Sequence, residues 1–326
     1  MLANRVRTIT DGQVELDPAA MDGPVAGAVV DGRAFYHAID ERSLGPALRW
    51  AGAQRADRLT VIGDPAAAGH LARRASLLTT PIDVWEAEGV AVTPATPEPA
   101  RTPPALPEQH LAYRAVIAEA GARPIDDHGM LIAEVAGLEV ARVVDANEVP
   151  ARPDGAARAR LDVGVGQADR ELQQYIHGHL DDDTNLRRAI AAVVRNRNPA
   201  AAAHPLSRLA RQRWLRSVLL DDPSPIGTGG LTPVVPLRPR DTLLGTEPAA
   251  AAGDGVIVIC SVGVDLDLLP EAADYRDREN PDAELVVVVP ERDRPMIEGS
   301  ALQAVPALRV TSIELPWEPP APDPHG

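Results

Sequence analysis

The chain contains no lysine, so all 32 of its basic residues are arginine. Arginine stays protonated in proteins and serves neither as a Schiff-base amine nor as a tunable general base. The absence of lysine therefore excludes P-loop NTPases, pyridoxal enzymes, Ser-Lys hydrolases and kinases of the usual design. A GC-rich coding sequence, which favours Arg, Ala, Gly and Pro, explains this composition without reference to function.

Cysteine, aromatic residues and long apolar runs are also scarce. Cys260 is the only cysteine, which excludes a disulfide framework and any multi-cysteine zinc or iron–sulfur site. Aromatic residues make up 3% of the chain, so aliphatic side chains have to fill the core. No apolar segment approaches the roughly 20 residues that a membrane span needs, and no apolar run follows the amino terminus. We therefore expect a cytoplasmic protein without membrane contact.

Positive charge is concentrated in one part of an acidic chain. The net charge is −15, which disfavours nucleic-acid contact over the whole surface. Residues 184–220 nevertheless contain eight arginines and no acidic residue. Guanidinium groups suit phosphate or carboxylate, so this window predicts either an anionic or nucleic-acid partner, or ion pairs with the acidic remainder, within the chain or across a homo-oligomer. The candidate anion-binding residues are Arg187, Arg188, Arg195, Arg208, Arg211, Arg213 and Arg216.

Apolar segments alternate with helical patterns towards the carboxyl end. Residues 256–260 are aliphatic without alternation, which is typical of a strand covered on both faces. Residues 284–290 and 308–315 repeat the signal. Strands separated by helices predict a parallel βαβαβ unit over 255–315.

The whole chain is predicted to be a multi-domain α/β protein. Asp31-Gly32 between two apolar runs predicts a hairpin, while residues 1–23 are expected to form an arm or an edge strand. Three structured segments are predicted: a ββαβαβ domain at 1–87, an α-βββ-ααα domain at 108–220 and the βαβαβ unit at 255–315, which can share a sheet with the preceding domain. The last helices of the central domain are predicted to span 169–176, 184–196 and 206–220. A Pro-rich linker at 88–107 and a Pro/Gly-rich linker at 221–254 separate these segments, and a disordered tail follows at 316–326.

A histidine pair precedes the arginine window. His177-Gly-His179-Leu approaches the His-x-His-x-Asp-His pattern of metallo-β-lactamase-type hydrolases, but Asp182 stands where the third histidine belongs. A helix end at Gly178 and an N-cap at Asp183 or Thr184 explain the same residues, so we predict no metal here.

Two further groups suggest ligand contacts. Gly164 and Gly166 supply two of the three glycines of a dinucleotide fingerprint, which a tight turn also explains. Ser261, Asp265 and Asp267 follow the most apolar strand, where ligands bind in open α/β sheets; helix capping is the alternative. The pattern does not identify a cofactor.

The element order of the first and central domains resembles the restriction-endonuclease-like PD-(D/E)XK core. That resemblance implies Glu139 and Asp162 as metal-binding acids, although Gly164 occupies the position of the family's lysine. Segments 161–171 and 260–267 are also similar to segments of uncharacterised actinobacterial α/β proteins, which carry no function with them.

The sequence thus favours a non-catalytic binding or regulatory protein that engages an anionic partner through arginine-rich helices. The alternative is an enzyme with a nuclease-like or nucleotide-binding site in the α/β core. Convergent carboxylates in a cleft would favour the enzyme, and a solvent-facing arginine surface would favour the binding protein.

Overall fold

The computed structural model describes residues 2–12, 27–145, 159–177, 181–239, 243–245, 247–301 and 305–318. The chain divides into two compact units. Unit 1 comprises Met1–Arg101, Val264–Leu285 and Pro295–Arg309, and unit 2 comprises Thr102–Gly263, Val286–Arg294 and Val310–Gly326. Each unit is therefore assembled from three stretches of sequence.

The helices and strands of the described residues have the following bounds. The helices are α1 (Leu2–Ile9), α2 (Leu44–Ala53), α3 (Pro65–Ser76), α4 (Glu108–Leu111), α5 (Tyr113–Glu119), α6 (Gly166–His177), α7 (Asp182–Asn196), α8 (Arg211–Asp221), α9 (Leu268–Glu279) and α10 (Arg294–Ala301). The strands are β1 (Gly27–Val30), β2 (Arg33–His37), β3 (Arg58–Gly63), β4 (Ile82–Glu88), β5 (Ala91–Pro94), β6 (Arg123–Asp127), β7 (Met130–Val135), β8 (Leu138–Asp145), β9 (Ala159–Val163), β10 (Thr232–Pro233), β11 (Ala249–Gly253), β12 (Val256–Cys260), β13 (Glu284–Val288) and β14 (Leu308–Thr311). None of these helices is both long and apolar enough to cross a membrane.

The amino-terminal sheet, in unit 1, has the order β1-β2-β3-β4-β5. Strands β2, β3 and β4 are parallel, and β1 and β5 pair antiparallel at the two edges. The predicted hairpin is confirmed: Asp31 and Gly32 both have positive φ, 47° and 76°, as the favoured two-residue hairpin turn requires. Phe35, Leu59 and Ile62 lie in its core.

The sheet of the central segment, in unit 2, is an antiparallel meander with the order β6-β7-β8-β9. Strands β7, β8 and β9 follow the three predicted strands. Strand β6 was not predicted, because only Ile125 of its five residues is buried and Pro124 interrupts the pattern. Gly137 has φ 77° in the turn between β7 and β8, and a Cβ there would overlap the backbone of Trp214. Only glycine therefore fits this turn.

The third sheet has the order β10-β11-β12-β13-β14, with β12 in the middle. Leu285 N–H donates to the Ala307 carbonyl at 3.2 Å, and Val289 N–H donates to the Thr311 carbonyl at 3.1 Å. The partners advance in step along both strands, so β13 and β14 are parallel. In the chain, α9 lies between β12 and β13, and α10 lies between β13 and β14. The α/β class predicted from the sequence is therefore confirmed.

The amino-terminal arm and the long eighth helix were predicted incorrectly. Residues 2–9 form α1, in which Leu2 and Val6 are buried one turn apart. Helix α8 begins at Arg211 rather than at residue 206, because Ala210 adopts a left-handed conformation, φ 42° and ψ 47°, that no α-helix continues through.

Regular structure also occurs in segments predicted to be linkers or tail. Strand β5 lies within 88–107, and strands β10 and β11 lie within 221–254. Trp317, predicted to lie in a disordered tail, is 3% exposed and packs against Trp214 with ring centroids 5.6 Å apart. Prolines mark these segments but do not prevent edge pairing or burial of a large aromatic ring.

Candidate functional site

Helix α7 presents one face to the core of unit 2 and another to solvent. Asp181 caps the helix, because its carboxylate accepts the Thr184 N–H at 2.9 Å and the Thr184 hydroxyl at 2.8 Å. The N-cap is therefore Asp181 and not Asp183 or Thr184 as predicted. The buried positions recur at helical spacing: Leu186, Ile190 and Val193. The periodicity leaves the arginines of this helix on the outside.

The outward side of α7 carries three exposed arginines, which we call the cationic face of α7: Arg187, Arg188 and Arg195. Arg187 pairs with Asp183 one turn earlier at 2.8 Å. Arg188 donates to the Gln173 side chain. Arg195 has no ion-pair partner among the described residues, and neither does the exposed Arg208, which lies in a short 3₁₀ turn. These guanidinium groups are accessible to an external anion.

The arginines of α8 have a different environment. Arg216 is fully buried and donates to both carboxylate oxygens of Glu134, at 2.7 and 2.8 Å. Arg213 is also buried. Arg211 is half-buried, with its guanidinium 4.9 Å from the centroid of the Trp317 ring. Because seven of the eleven residues of α8 are buried, including Arg213 and Arg216, these two cations contribute to the core of unit 2 and not to a surface.

Arg197, just after α7, is a structural residue that sequence reasoning did not distinguish from its neighbours. Its guanidinium lies 4.2 Å from the Trp214 ring centroid and donates to the backbone carbonyls of Ala136, Leu206 and Ala210. Burial lowers the pKa of Arg197 to about 9, so it remains charged at neutral pH. One side chain thus joins the β7–β8 turn to the connection between α7 and α8.

The two acids implied by the nuclease resemblance lie on the paired strands β8 and β9. Arg170 bridges them, because its Nη1 is 3.0 Å from Glu139 and its Nε is 3.1 Å from Asp162. Arg142 adds a second guanidinium 2.7 Å from Glu139. Burial raises the pKa of Asp162, although Arg170 opposes this shift. A Cβ at Gly164 would lie 2.6 Å from the backbone nitrogen of Arg170, which explains the glycine at this position.

This donor set does not fit the magnesium ion that the resemblance implies. A divalent cation would have to displace Arg170 from both Glu139 and Asp162, and Arg142 would still oppose it. No cluster of three or more His, Cys, Asp or Glu suited to a metal occurs in the described part of the chain. The arrangement instead neutralises the buried carboxylate of Glu139 and the half-buried carboxylate of Asp162.

A buried ion network lies within unit 1, between α3 on one side and α9 with its N-cap residue Asp267 on the other. Arg74 is fully buried and donates to Asp267 at 2.7 Å and to Asp274 at 2.9 Å. Arg73 pairs with Asp274 and, at 2.8 Å, with Asp277. A guanidinium group that pairs with two different carboxylates fixes the positions of both, because each charge-assisted hydrogen bond restricts orientation.

The predicted strand-end residues fall into separate environments. Asp267 occupies the N-cap position of α9, but its carboxylate accepts the Gly45 N–H at 2.9 Å and the Arg74 guanidinium, so the capping prediction is wrong for this side chain. Burial raises the pKa of Asp267 to about 7. Asp265 accepts the Asp267 N–H at 3.0 Å. Ser261, in unit 2, is fully buried.

The glycine and histidine motifs show turn and cap geometry. Gly164 and Gly166 have φ values of 147° and 79°, and Asp169 accepts the Val165 N–H at 2.7 Å. These contacts describe a tight turn into α6. Residues 178–180 of the histidine motif lie outside the described residues.

Comparisons with known proteins give no match: no family model matches the chain, and no significantly similar curated protein or solved structure was found. The function has to be argued from the sites themselves.

Proposed function

We propose that this chain is a non-catalytic binding protein that engages an anionic, phosphate-bearing partner through the cationic face of α7. The observation that carries the proposal is the exposure of Arg187, Arg188 and Arg195 on one side of a helix, in a window with no acidic residue from 184 to 220. Arg188 and Arg195 are two turns apart, about 10.5 Å along the helix axis.

The charge on this face is available for binding. Arg195 and Arg208 have no ion-pair partner among the described residues. The pair between Arg187 and Asp183 is exposed, with 51% and 49% of the two side chains accessible. Exposed pairs contribute at most about 1 kcal/mol, so a phosphate can compete for Arg187.

The face is also shaped for close approach. Ala191 and Ala192 are exposed between Arg188 and Arg195, so no large side chain stands between the two guanidinium groups. The net charge of −15 repels polyanions from the rest of the surface. A partner is therefore expected to contact the chain locally, through backbone phosphates, without base readout.

The test is a salt-titrated binding assay. Arg188→Gln/Arg195→Gln should weaken binding of a fluorescein-labelled oligothymidylate about tenfold, since two exposed charge pairs contribute roughly 1.4 kcal/mol together. The slope of log K against log salt should fall by about 1.4, because each phosphate contact on a single strand contributes about 0.7. Fluorescence anisotropy measures both quantities.

The matched control removes the same charge elsewhere. Arg55 and Arg292 are exposed and lie outside α7. The variant Arg55→Gln/Arg292→Gln should bind like the wild type. Equal weakening in both double variants, or no binding by the wild type, contradicts the proposal; the melting temperature of each variant shows that folding is retained.

A further inference from the structure

Unit 1 contains a cavity of about 450 Å³. It is formed by α2, the beginning of β3, the segment that leads into α9, and α10. Its volume lies in the range of about 300–1,000 Å³ that small-molecule sites occupy. We infer that this cavity binds a small organic monoanion with an apolar body, such as an aromatic or aliphatic carboxylate or sulfonate.

The apolar part of the cavity consists of a buried floor and an exposed lip. Leu59 and Leu268 form part of the floor and are each 1% exposed. Val264 and Leu266 line the same cavity but remain 61% and 40% exposed. Adjacent exposed aliphatic side chains beside a cavity mark a surface that gains free energy when an apolar group covers it.

Two arginines and two aspartates line the cavity, so the charge that it offers a ligand depends on which of them are paired. Arg49 and Arg58 line it, are exposed, and have no carboxylate partner within the described residues. Asp265 also lines it, but Arg42 pairs with that carboxylate at 3.2 Å. Asp57 is exposed and offsets one of the two lining arginines. Because Arg49 and Arg58 lack a carboxylate partner among the described residues, a monoanion can pair with their guanidinium groups while its body lies on the floor.

The walls of the cavity are held rigidly. A Cβ at Gly45 would overlap the Leu266 carbonyl, so α2 and the segment before α9 touch through their backbones. The Gly45 N–H donates to Asp267, which Arg74 holds from the other side. A site whose walls are already ordered loses less conformational entropy on binding. The buried ion network thus preorganises the cavity.

The same features disfavour a nucleotide as the occupant. A nucleotide carries several negative charges and a polar base, whereas the cavity offers two arginines, two aspartates and an aliphatic floor. The inference is independent of the proposed role of α7, because every residue that lines the cavity belongs to unit 1.

The probe is anilinonaphthalene sulfonate, whose fluorescence rises when its apolar rings leave water. Its neutral analogue, phenylnaphthylamine, has the same rings without the sulfonate. The wild type should bind one sulfonate dye per chain, saturably, and about tenfold more tightly than the neutral dye, which corresponds to roughly 1.4 kcal/mol.

A blocking variant tests the location. Gly52 lines the cavity, and a Cβ there would meet no atom within 4 Å. Gly52→Phe should therefore introduce a ring at the lining of the cavity without a clash at its Cβ and weaken both dyes at least about tenfold. Gly229 lies in unit 2 and is equally open, so Gly229→Phe is the matched control and should bind like the wild type.

A charge variant tests the ligand class. Arg49→Gln/Arg58→Gln should abolish the preference for the sulfonate dye while leaving the affinity for the neutral dye unchanged. Arg55 is exposed, does not line the cavity, and supplies the control Arg55→Gln.

Each outcome supports or overturns the inference. Non-saturable binding, or a Gly52→Phe variant that binds as tightly as the wild type, overturns the location. A sulfonate preference that survives Arg49→Gln/Arg58→Gln overturns the ligand class. If Gly52→Phe melts at a lower temperature than the wild type, the smaller Gly52→Leu replaces it and has to meet the same criterion.

Discussion

The buried pair between Arg216 and Glu134 makes a strong prediction about stability. Arg216 is 0% exposed and Glu134 is 3% exposed, and one nitrogen of the guanidinium contacts both carboxylate oxygens. Arg216→Met removes the cation but keeps an apolar side chain of similar length. The variant leaves the Glu134 carboxylate in the core without the Arg216 guanidinium.

The expected loss is about 3–5 kcal/mol in the free energy of unfolding, since removing one member of a buried ion pair leaves an uncompensated charge. Nε and Nη1 of Arg216 have no hydrogen-bond partner among the described residues. Met removes these two unsatisfied donors as well, which places the expected loss at the lower end of that range.

A double variant that removes both charges tests whether the Glu134 carboxylate causes this loss. Arg216→Met/Glu134→Leu replaces both charges by apolar side chains and should lie within about 1 kcal/mol of the wild type or above it, because buried pairs often contribute little net stability. Urea denaturation followed by tryptophan fluorescence is the assay, since Trp214 lies on α8 two residues from Arg216.

Two results would refute this reasoning. A loss below about 1 kcal/mol for Arg216→Met would mean that water or another cation reaches Glu134. A double variant no more stable than Arg216→Met would mean that the carboxylate itself was not the source of the destabilisation.

Two further predictions concern pH dependence and the third sheet. The folded pKa of Asp267, about 7, lies above its unfolded value, so between these two values the folded state holds a proton that the unfolded state has released. The resulting contribution to the free energy of unfolding is fully present below about pH 4 and is lost as the pH rises through about 7. Urea titrations at several pH values should show this decline in the wild type but not in Asp267→Asn; a difference between the two proteins that is constant with pH would rule it out. Ile259 is fully buried in the central strand β12, so Ile259→Ala should cost about 2–5 kcal/mol in the same assay, and a loss below about 0.5 kcal/mol would be inconsistent with that position.

Parts of the fold with strong local signals could be predicted from the sequence. Strand β12 has the predicted bounds because five consecutive aliphatic or thiol side chains are buried on both faces. The hairpin at Asp31-Gly32 follows from turn chemistry alone. Strand β11 could not be predicted, because its sequence is four alanines and a glycine and it is ordered by pairing with β12.

The candidate sites were only partly predictable. The charge window identified the arginines, but Arg195 and Arg216 look alike in sequence, and only the partner Glu134, 82 residues away, places Arg216 in the core. No local sequence motif marks the cavity, because the residues that line it, such as Arg58 and Leu268, come from segments far apart in the chain. Local patterns therefore identify elements, whereas long-range contacts decide which side chains remain available.

The discontinuity of unit 1 has a consequence for synthesis on the ribosome. Arg74 and Asp267 are separated by 193 residues, a stretch that takes roughly 10–40 s to translate at usual rates of about 5–20 residues per second. During that interval α3 has been made, but the carboxylates that neutralise Arg73 and Arg74 have not. The amino-terminal part of unit 1 therefore completes its core late, and its nascent form is expected to be most vulnerable to mispairing before α9 emerges.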